Sequence, residues 1–286
     1  MGAYLDLLAD RTRLVGSVLC LGLDPDPSAL PAGLGTGLAG LERFCGLLLE
    51  AALPHVAAVK PNLAFFEAFG SGGLAALERL MARIPPDVPV IADAKRGDIG
   101  STAARHAAAL FDGLGAHAVT ASPYLGSEAI EPLLGRSDRF VYVLCRTSNP
   151  GAGEVQGLPV TADVSIGRPA EALYERIAWL ASGWGSRYGT VGLVVGATAP
   201  AELASVRTIA PTLPFLVPGV GAQGGDLAAT LAAGPARAGD AGGQPGGGLL
   251  INISRGIAGA AIGAAEPGEA VAAAAAEWSR RTSVLP

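Results

Sequence analysis

The sequence predicts an α/β chain closed into a (β/α)8 barrel, a TIM barrel, and three observations predict it. Short apolar runs alternate with longer Ala/Leu/Glu/Arg segments of helical character along the whole chain. About eight such units occur, and repeated β-then-α units require parallel strands with right-handed crossovers. The 286 residues fit one such barrel as a single domain over 1–286. An open doubly wound sheet is the alternative to which a miscounted strand would lead.

The elements follow in order. The N-terminal MGAYLDLLADRTRL carries Asp6 and Asp10 where a secretory signal needs an uninterrupted apolar stretch. Strands are predicted at 18–24, 56–60, 90–95, 118–122, 140–145, 191–196, 215–218 and 249–253, each too short for a helix and rich in β-branched or Leu residues. Amphipathic stretches between them include 41–53, 74–84 and 170–181. Two segments break the rhythm. Residues 149–167 are too polar and broken for a helix, which predicts a long loop after strand five. Residues 234–248, GPARAGDAGGQPGGG, are of low complexity and predict a flexible Gly-rich excursion before strand eight.

Composition narrows the function. Half of the residues are hydrophobic but only 5% are aromatic, so Ala, Val, Leu and Ile must build the core. A net charge of -5 argues against a general nucleic-acid or membrane surface, so a ligand's phosphate must be met by a local device. The mean hydropathy is +0.41, yet no apolar run reaches the ~18 residues of a membrane-spanning helix. The expected location is cytoplasmic. Cys20, Cys45 and Cys145 form no CxxC pair and read as buried free thiols. His55, His106 and His117 lack metal-ligand spacing, so no metal site is expected.

The chemistry concentrates at predicted strand ends, which in such a barrel form the rim that carries the active site. VIADAKRGDIGST places Asp93 and Lys95 two apart, so both side chains project to one face, and Asp98 starts the following helix. Read alone, this is also what a solvated ion-pair cluster looks like. Lys60 closes the second apolar run and Asp24 the first, where a charge is costly unless it meets a partner. Four ionisable groups at the same end of three strands make a site. After strand seven, Gly219-x-Gly221-x-x-Gly224 formally matches a dinucleotide fingerprint, but it comes late in the chain and no acidic strand end follows at the expected spacing. Glycines here instead let backbone N–H groups approach a phosphate, with the next helix, beginning near Asp226, offering its positive end. Arg255 after strand eight adds a permanently charged fork.

The motifs LGLDP, AVKPN, DAKRGDIGST, SPYLG, RTSNPGA, PGVGAQGG and SRGI resemble, in order and nearly end to end, the orotidine 5'-phosphate decarboxylase family, specifically its longer bacterial branch. The resemblance implies a cofactor-free, metal-free carboxy-lyase of UMP biosynthesis that turns orotidine 5'-monophosphate into UMP and CO2. It implies that Lys60, Asp93, Lys95 and Asp98 form the family's alternating charged network, with Lys95 protonating C6. Asp98, with Ile99 and Thr102, would reach into a neighbouring subunit's site, which implies a homodimer with shared active sites. Asp24 and Lys60 would hold ribose hydroxyls, Ser148 would contact the pyrimidine, Pro218 would belong to the substrate-binding set, and Gln223 and Arg255 would grip the 5'-phosphate. Two rivals stand beside this reading. Magnesium-dependent sugar-phosphate decarboxylases and aldolase-like relatives share the DxKxxD barrel but place a metal-binding acid where Lys60 stands. A non-catalytic phosphate-binding barrel would keep Arg255 and the glycine loop without the charged network.

Overall fold

The structure, a computed structural model, describes residues 2–284. Eight parallel strands, β1 (Leu19–Leu23), β2 (Ala58–Pro61), β3 (Ile91–Arg96), β4 (Ala118–Ala121), β5 (Phe140–Arg146), β6 (Val191–Val195), β7 (Phe215–Pro218) and β8 (Leu250–Ile253), follow the order β2-β1-β8-β7-β6-β5-β4-β3. Parallel bridges Val59↔Val90 and Asn62↔Asp93 join β2 to β3 and close the ring. The closure decides for the barrel over the open sheet.

The apolar runs are strands because both of their faces are covered. Leu19 to Leu23 are all buried, one face against the barrel interior and the other beneath helices. Outside, α1 (Ala3–Val15) precedes α2 (Gly37–Ala52), whose Leu41, Phe44, Cys45, Leu48 and Leu49 recur at three- and four-residue spacing and bury one stripe. Each such fully buried Leu contributes about 1.5–3 kcal/mol. The ring continues through α3 (Gly70–Met81), α4 (Gly100–Ala107), α5 (Leu173–Tyr188), α6 (Pro200–Ile209), α7 (Leu227–Ala233) and α8 (Pro267–Arg281). No helix among the described residues is long and apolar enough to cross a membrane.

Inside, the first helix stops one mouth of the barrel. Tyr4, Leu5 and Leu8 of α1 pack with Cys20, Ile91, Ala118, Phe140 and Leu250 from the strands. Tyr4 stacks on Phe140 with ring centroids 4.8 Å apart, and the Tyr4 and Tyr142 hydroxyls satisfy each other at 3.1 Å. The N-terminal mouth is therefore dry and filled, and the opposite mouth is left for chemistry. Cys20, Cys45 and Cys145 are free and buried, as expected.

The two irregular segments are more ordered than their composition suggests. Within 149–167, Ala152–Gln156 forms a helical turn and Pro159–Val160 pairs antiparallel with Glu171–Ala172. Glu171 anchors the base of that ladder, with Arg176 Nε donating to its Oε1 at 2.6 Å and Arg168 bonding it from the other side. Residues 234–248, expected as a Gly-rich excursion before the last strand, carry local structure. They fold as the turns Gly239–Gly242 and Pro245–Gly248, tied by Arg237 N donating to Pro211 O at 2.8 Å and Ala236 N to Gly247 O at 3.1 Å. The glycines serve packing here: a Cβ on Gly247, at φ +58°, would stand 2.5 Å from Ala236 N.

Candidate active site

The C-terminal ends of the strands surround a cavity of about 760 Å³. Eight of the eleven expected positions are placed there by the strands that they follow or end. β1 delivers Asp24, β2 Lys60, β3 Asp93 and Lys95, the β5 loop Ser148, β7 and its loop Pro218 and Gln223, and the turn after β8 Arg255, all lining this cavity. Ile99 and Thr102 line a separate shallow depression with Glu128 and Glu131. Asp98, the eleventh, borders neither, and its Oδ1 accepts from Ile99 N at 2.7 Å. The helix α4 begins only at Gly100, with Ile99 as its cap, so Asp98 does not start it as expected; the chain stays extended through Ile99.

At the floor, Asp93 is the hub. Its Oδ2 accepts from Lys60 Nζ at 2.6 Å, and its Oδ1 accepts from Lys95 Nζ at 2.6 Å and from Thr120 Oγ1 at 2.9 Å. Burial by itself would lower the Lys60 pKa, but the nearby Asp93 and Asp24 carboxylates outweigh it and hold the ammonium above the ordinary lysine range. Burial would likewise raise Asp93, but Lys60 and Lys95 outweigh it and keep the carboxyl well below the usual carboxylate range. Side-chain exposure runs from 5% at Lys60 through 11% at Asp93 to 50% at Lys95, so Lys95 is the most open member of the cluster.

Lys95 has φ +49°, the left-handed region that no other non-glycine residue adopts among the described residues. Such a conformation costs about 1–2 kcal/mol and persists only where the surroundings hold it. The β3–β4 register breaks here: Ala92 pairs with Val119, and the next pair is Arg96 with Ala121. Lys95 N donates to Thr120 Oγ1 at 2.9 Å instead of joining the ladder. Strand alternation alone put Asp93 and Lys95 on one face; a bulge is what presents them.

Beside the cluster, Ser254 Oγ donates to Asp24 Oδ2. Asp24 Oδ1 and Asn252 Oδ1 are buried with no partner among the described residues. A buried acceptor left unpaired costs about 1–3 kcal/mol, so two of them lining one cavity call for ligand hydroxyls. Sequence reasoning missed Asn252, Ser254 and Thr120. The signal was present: Asn252 is the polar residue in Leu250–Ile253, and Thr120 the polar residue in Ala118–Ala121.

Across the cavity, Gly219 (φ +97°) carries the chain out of β7, and a Cβ there would meet Ser148 Cβ at 2.9 Å. The expected phosphate device needs one correction. Asp226 caps α7 with its own carboxylate, accepting from Ala229 N at 2.9 Å, and does not line the cavity. Gly225 N and Gly224 N bond within the loop, to Gly219 O at 3.0 Å and Gly221 O at 2.8 Å. Asp226 thus takes part of that helix end, and Gln223 and Arg255 are side-chain donors that line the cavity. Arg255 is exposed and has no acidic partner among the described residues. His117 is a half-buried histidine with a structural bond, its Nδ1 accepting from Val90 N at 3.1 Å.

A barrel with a pre-paired charge cluster on one side of its cavity and unpaired hydroxyl and anion receptors on the other is built as an enzyme. The family model described as orotidine 5'-phosphate decarboxylase / HUMPS family matches residues 17–273, and the chain belongs to that family. An orotidine 5'-phosphate decarboxylase of Thermomicrobium roseum is 50% identical over 241 residues, 84% of this chain and 81% of its own. One of Paracidovorax citrulli is 45% identical over 282 residues, 98% and 97% of the two chains. Among solved structures, the Leishmania donovani OMP decarboxylase superposes with a TM-score of 0.81 at 43% identity, covering 99% of this chain and 98% of that one.

Proposed function

We infer that this chain is a carboxy-lyase that converts orotidine 5'-monophosphate to UMP and CO2, and that it does so without a cofactor. The observation that carries the reading is the Lys60–Asp93–Lys95 cluster, bonded at 2.6 Å on both sides, facing Gln223 and Arg255 across one cavity. The family match supports the same reaction.

The cavity orients the substrate by its ends. Gln223 and Arg255 hold the 5'-phosphate, the unpaired Asp24 and Asn252 oxygens accept from ribose hydroxyls beside Lys60, and Ser148 and Pro218 border the base. The carboxylate on C6 then meets Asp93, which its two ammonium partners keep ionised. The C6–carboxyl bond breaks heterolytically, its electron pair stays on C6, and neutral CO2 departs from the like charge of Asp93. Lys95 Nζ stabilises the charge developing at C6 and transfers a proton to it. No oxidant or reductant is needed for this balance. Lys60 also speaks against the magnesium-dependent rival, since a permanent ammonium occupies the place where that chemistry needs a metal-binding acid.

Asp98, Ile99 and Thr102 complete the site of a second subunit in a homodimer. Exposed Ile99, at 58%, and the placement of Asp98 outside its own cavity support this. Purified protein with orotidine 5'-monophosphate and a chelator should show the ultraviolet change of decarboxylation; loss of activity with the chelator would favour the metal-dependent rival. Mixing inactive Lys95→Ala with inactive Asp98→Ala subunits should restore part of the activity, because the heterodimer regains one intact shared site. No recovery after verified subunit exchange would remove the cross-subunit role.

A further inference from the structure

We propose that Thr120 is a positioning residue for proton transfer: its hydroxyl locks the left-handed backbone of Lys95 and one oxygen of Asp93 into a single closed ring. The inference rests on the decarboxylation argued above. The directions of the bonds are forced by the groups involved. Lys95 N can only donate, so Thr120 Oγ1 accepts from it at 2.9 Å. Asp93 as a carboxylate can only accept, so the one hydroxyl proton points to Oδ1, also at 2.9 Å. Lys95 Nζ closes the ring by donating to the same Oδ1 at 2.6 Å.

Three features make this more than a packing contact. Thr120 is 2% exposed, so its hydroxyl is committed to these two bonds and not to bulk solvent. It sits where the β3–β4 pairing lapses between Ala92 and Arg96, so the Lys95 amide has no strand partner to fall back on. It also divides the labour of Asp93: Oδ2 serves Lys60, whereas Oδ1 serves Lys95 and Thr120. The half-exposed Lys95 side chain has four torsions of its own, and its ammonium is fixed only as well as its backbone and its Asp93 oxygen are fixed. Without the hydroxyl, the bulge loses its lateral tie and the ammonium loses its place over C6. The expected signature is slower turnover with little change in binding.

The experiment compares Thr120→Val, Thr120→Ser and Thr120→Ala with the unsubstituted chain in decarboxylation, and measures UMP binding by calorimetry. Val keeps the shape without the hydroxyl, and Ser and Ala differ from each other only by the hydroxyl. Thr120→Val should lower kcat by about 10–100-fold, the range expected when a partner that orients a reacting group is removed, with the UMP dissociation constant changed less than about threefold. Thr120→Ser should keep kcat within about threefold, and Thr120→Ala should fall with Val. Equal kcat for Ser and Ala overturns the proposal, as does a Val variant as fast as the unsubstituted chain; if Val does not fold, the Ser/Ala pair decides alone. An unsubstituted chain without decarboxylase activity would sink the proposed function itself, and this inference with it.

Discussion

The two sides of the cavity differ in what they have already settled before a ligand arrives. On the β2–β4 side, Asp93 spends both oxygens on Lys60, Lys95 and Thr120, and even the strained Lys95 amide has its acceptor. On the side of β7, β8 and the adjoining β1, Arg255 has no acidic partner among the described residues, and Asn252 Oδ1 and Asp24 Oδ1 are buried and unpaired. The first side stands on strands whose pairing closes the ring; the second stands largely on a turn and a glycine loop. The difference separates two jobs. Groups that act on charge at the reacting carbon gain from being fixed beforehand, since they then need no reorganisation during the reaction. Groups that capture the substrate gain from being unsatisfied, since each new bond then adds binding energy that orients the distant base.

The sharpest break between the sides comes from Lys95→Ala. Turnover should fall by at least about 10²–10⁴-fold, the usual worth of a positioned general acid. UMP should still bind, because Gln223, Arg255, Asp24 and Asn252 are untouched. Single-turnover decarboxylation together with calorimetric titration of UMP checks both halves, and unchanged turnover would remove Lys95 as the proton donor.

The converse substitution, Arg255→Ala, should act on capture. Losing charge-assisted bonds worth about 1.5–3 kcal/mol corresponds to about a 10–100-fold rise in KM. The informative control is orotidine, which lacks the phosphate: its slow turnover should be the same with and without Arg255. Equal damage to both substrates would mean that Arg255 acts on something other than the phosphate.

The same division explains what could be read from the sequence. Charges ending apolar runs stand out because burying an unpaired charge is prohibitive, so Lys60, Asp93 and Lys95 were legible as a group, and the strand at 215–218 coincides with Phe215–Pro218. Neutral polar residues in buried strands, Thr120 and Asn252, give a weaker signal, because a hydroxyl or an amide is often satisfied by a local bond. Asp98 offered only a charge near a turn, and its role came from resemblance alone. Asp226 was legible as the start of the helix: an Asp just before an apolar helical run is an ordinary N-cap signal, and its carboxylate takes one of the amides that the helix end would offer an anion. The glycines of 234–248 show a further limit of composition. Low complexity suggests freedom, but positive φ and close approach to Val18, Pro214 and Ala236 are tertiary demands that composition does not express.

The smallest expected effect is also the one that tests both sides in a single measurement, the pH dependence between about pH 5 and pH 8. The folded Asp93 lies below the ordinary carboxylate value, so its contribution is complete above about pH 4 and is lost only as pH falls through the lowered value. The folded Lys60 lies above the ordinary lysine value, so its contribution is complete below about pH 10 and is lost only as pH rises through the raised value. Neither group changes charge inside the window, and kcat should stay level there. The phosphate of the substrate does titrate in the window, near pH 6, and Arg255 should favour its dianion. Accordingly kcat/KM should decline below about pH 6 while kcat does not, and Arg255→Ala should make that decline shallower. A midpoint in kcat itself between pH 5 and pH 8 would mean that the charge cluster is not locked, and the distinction between a settled side and a receptive one would fail with it.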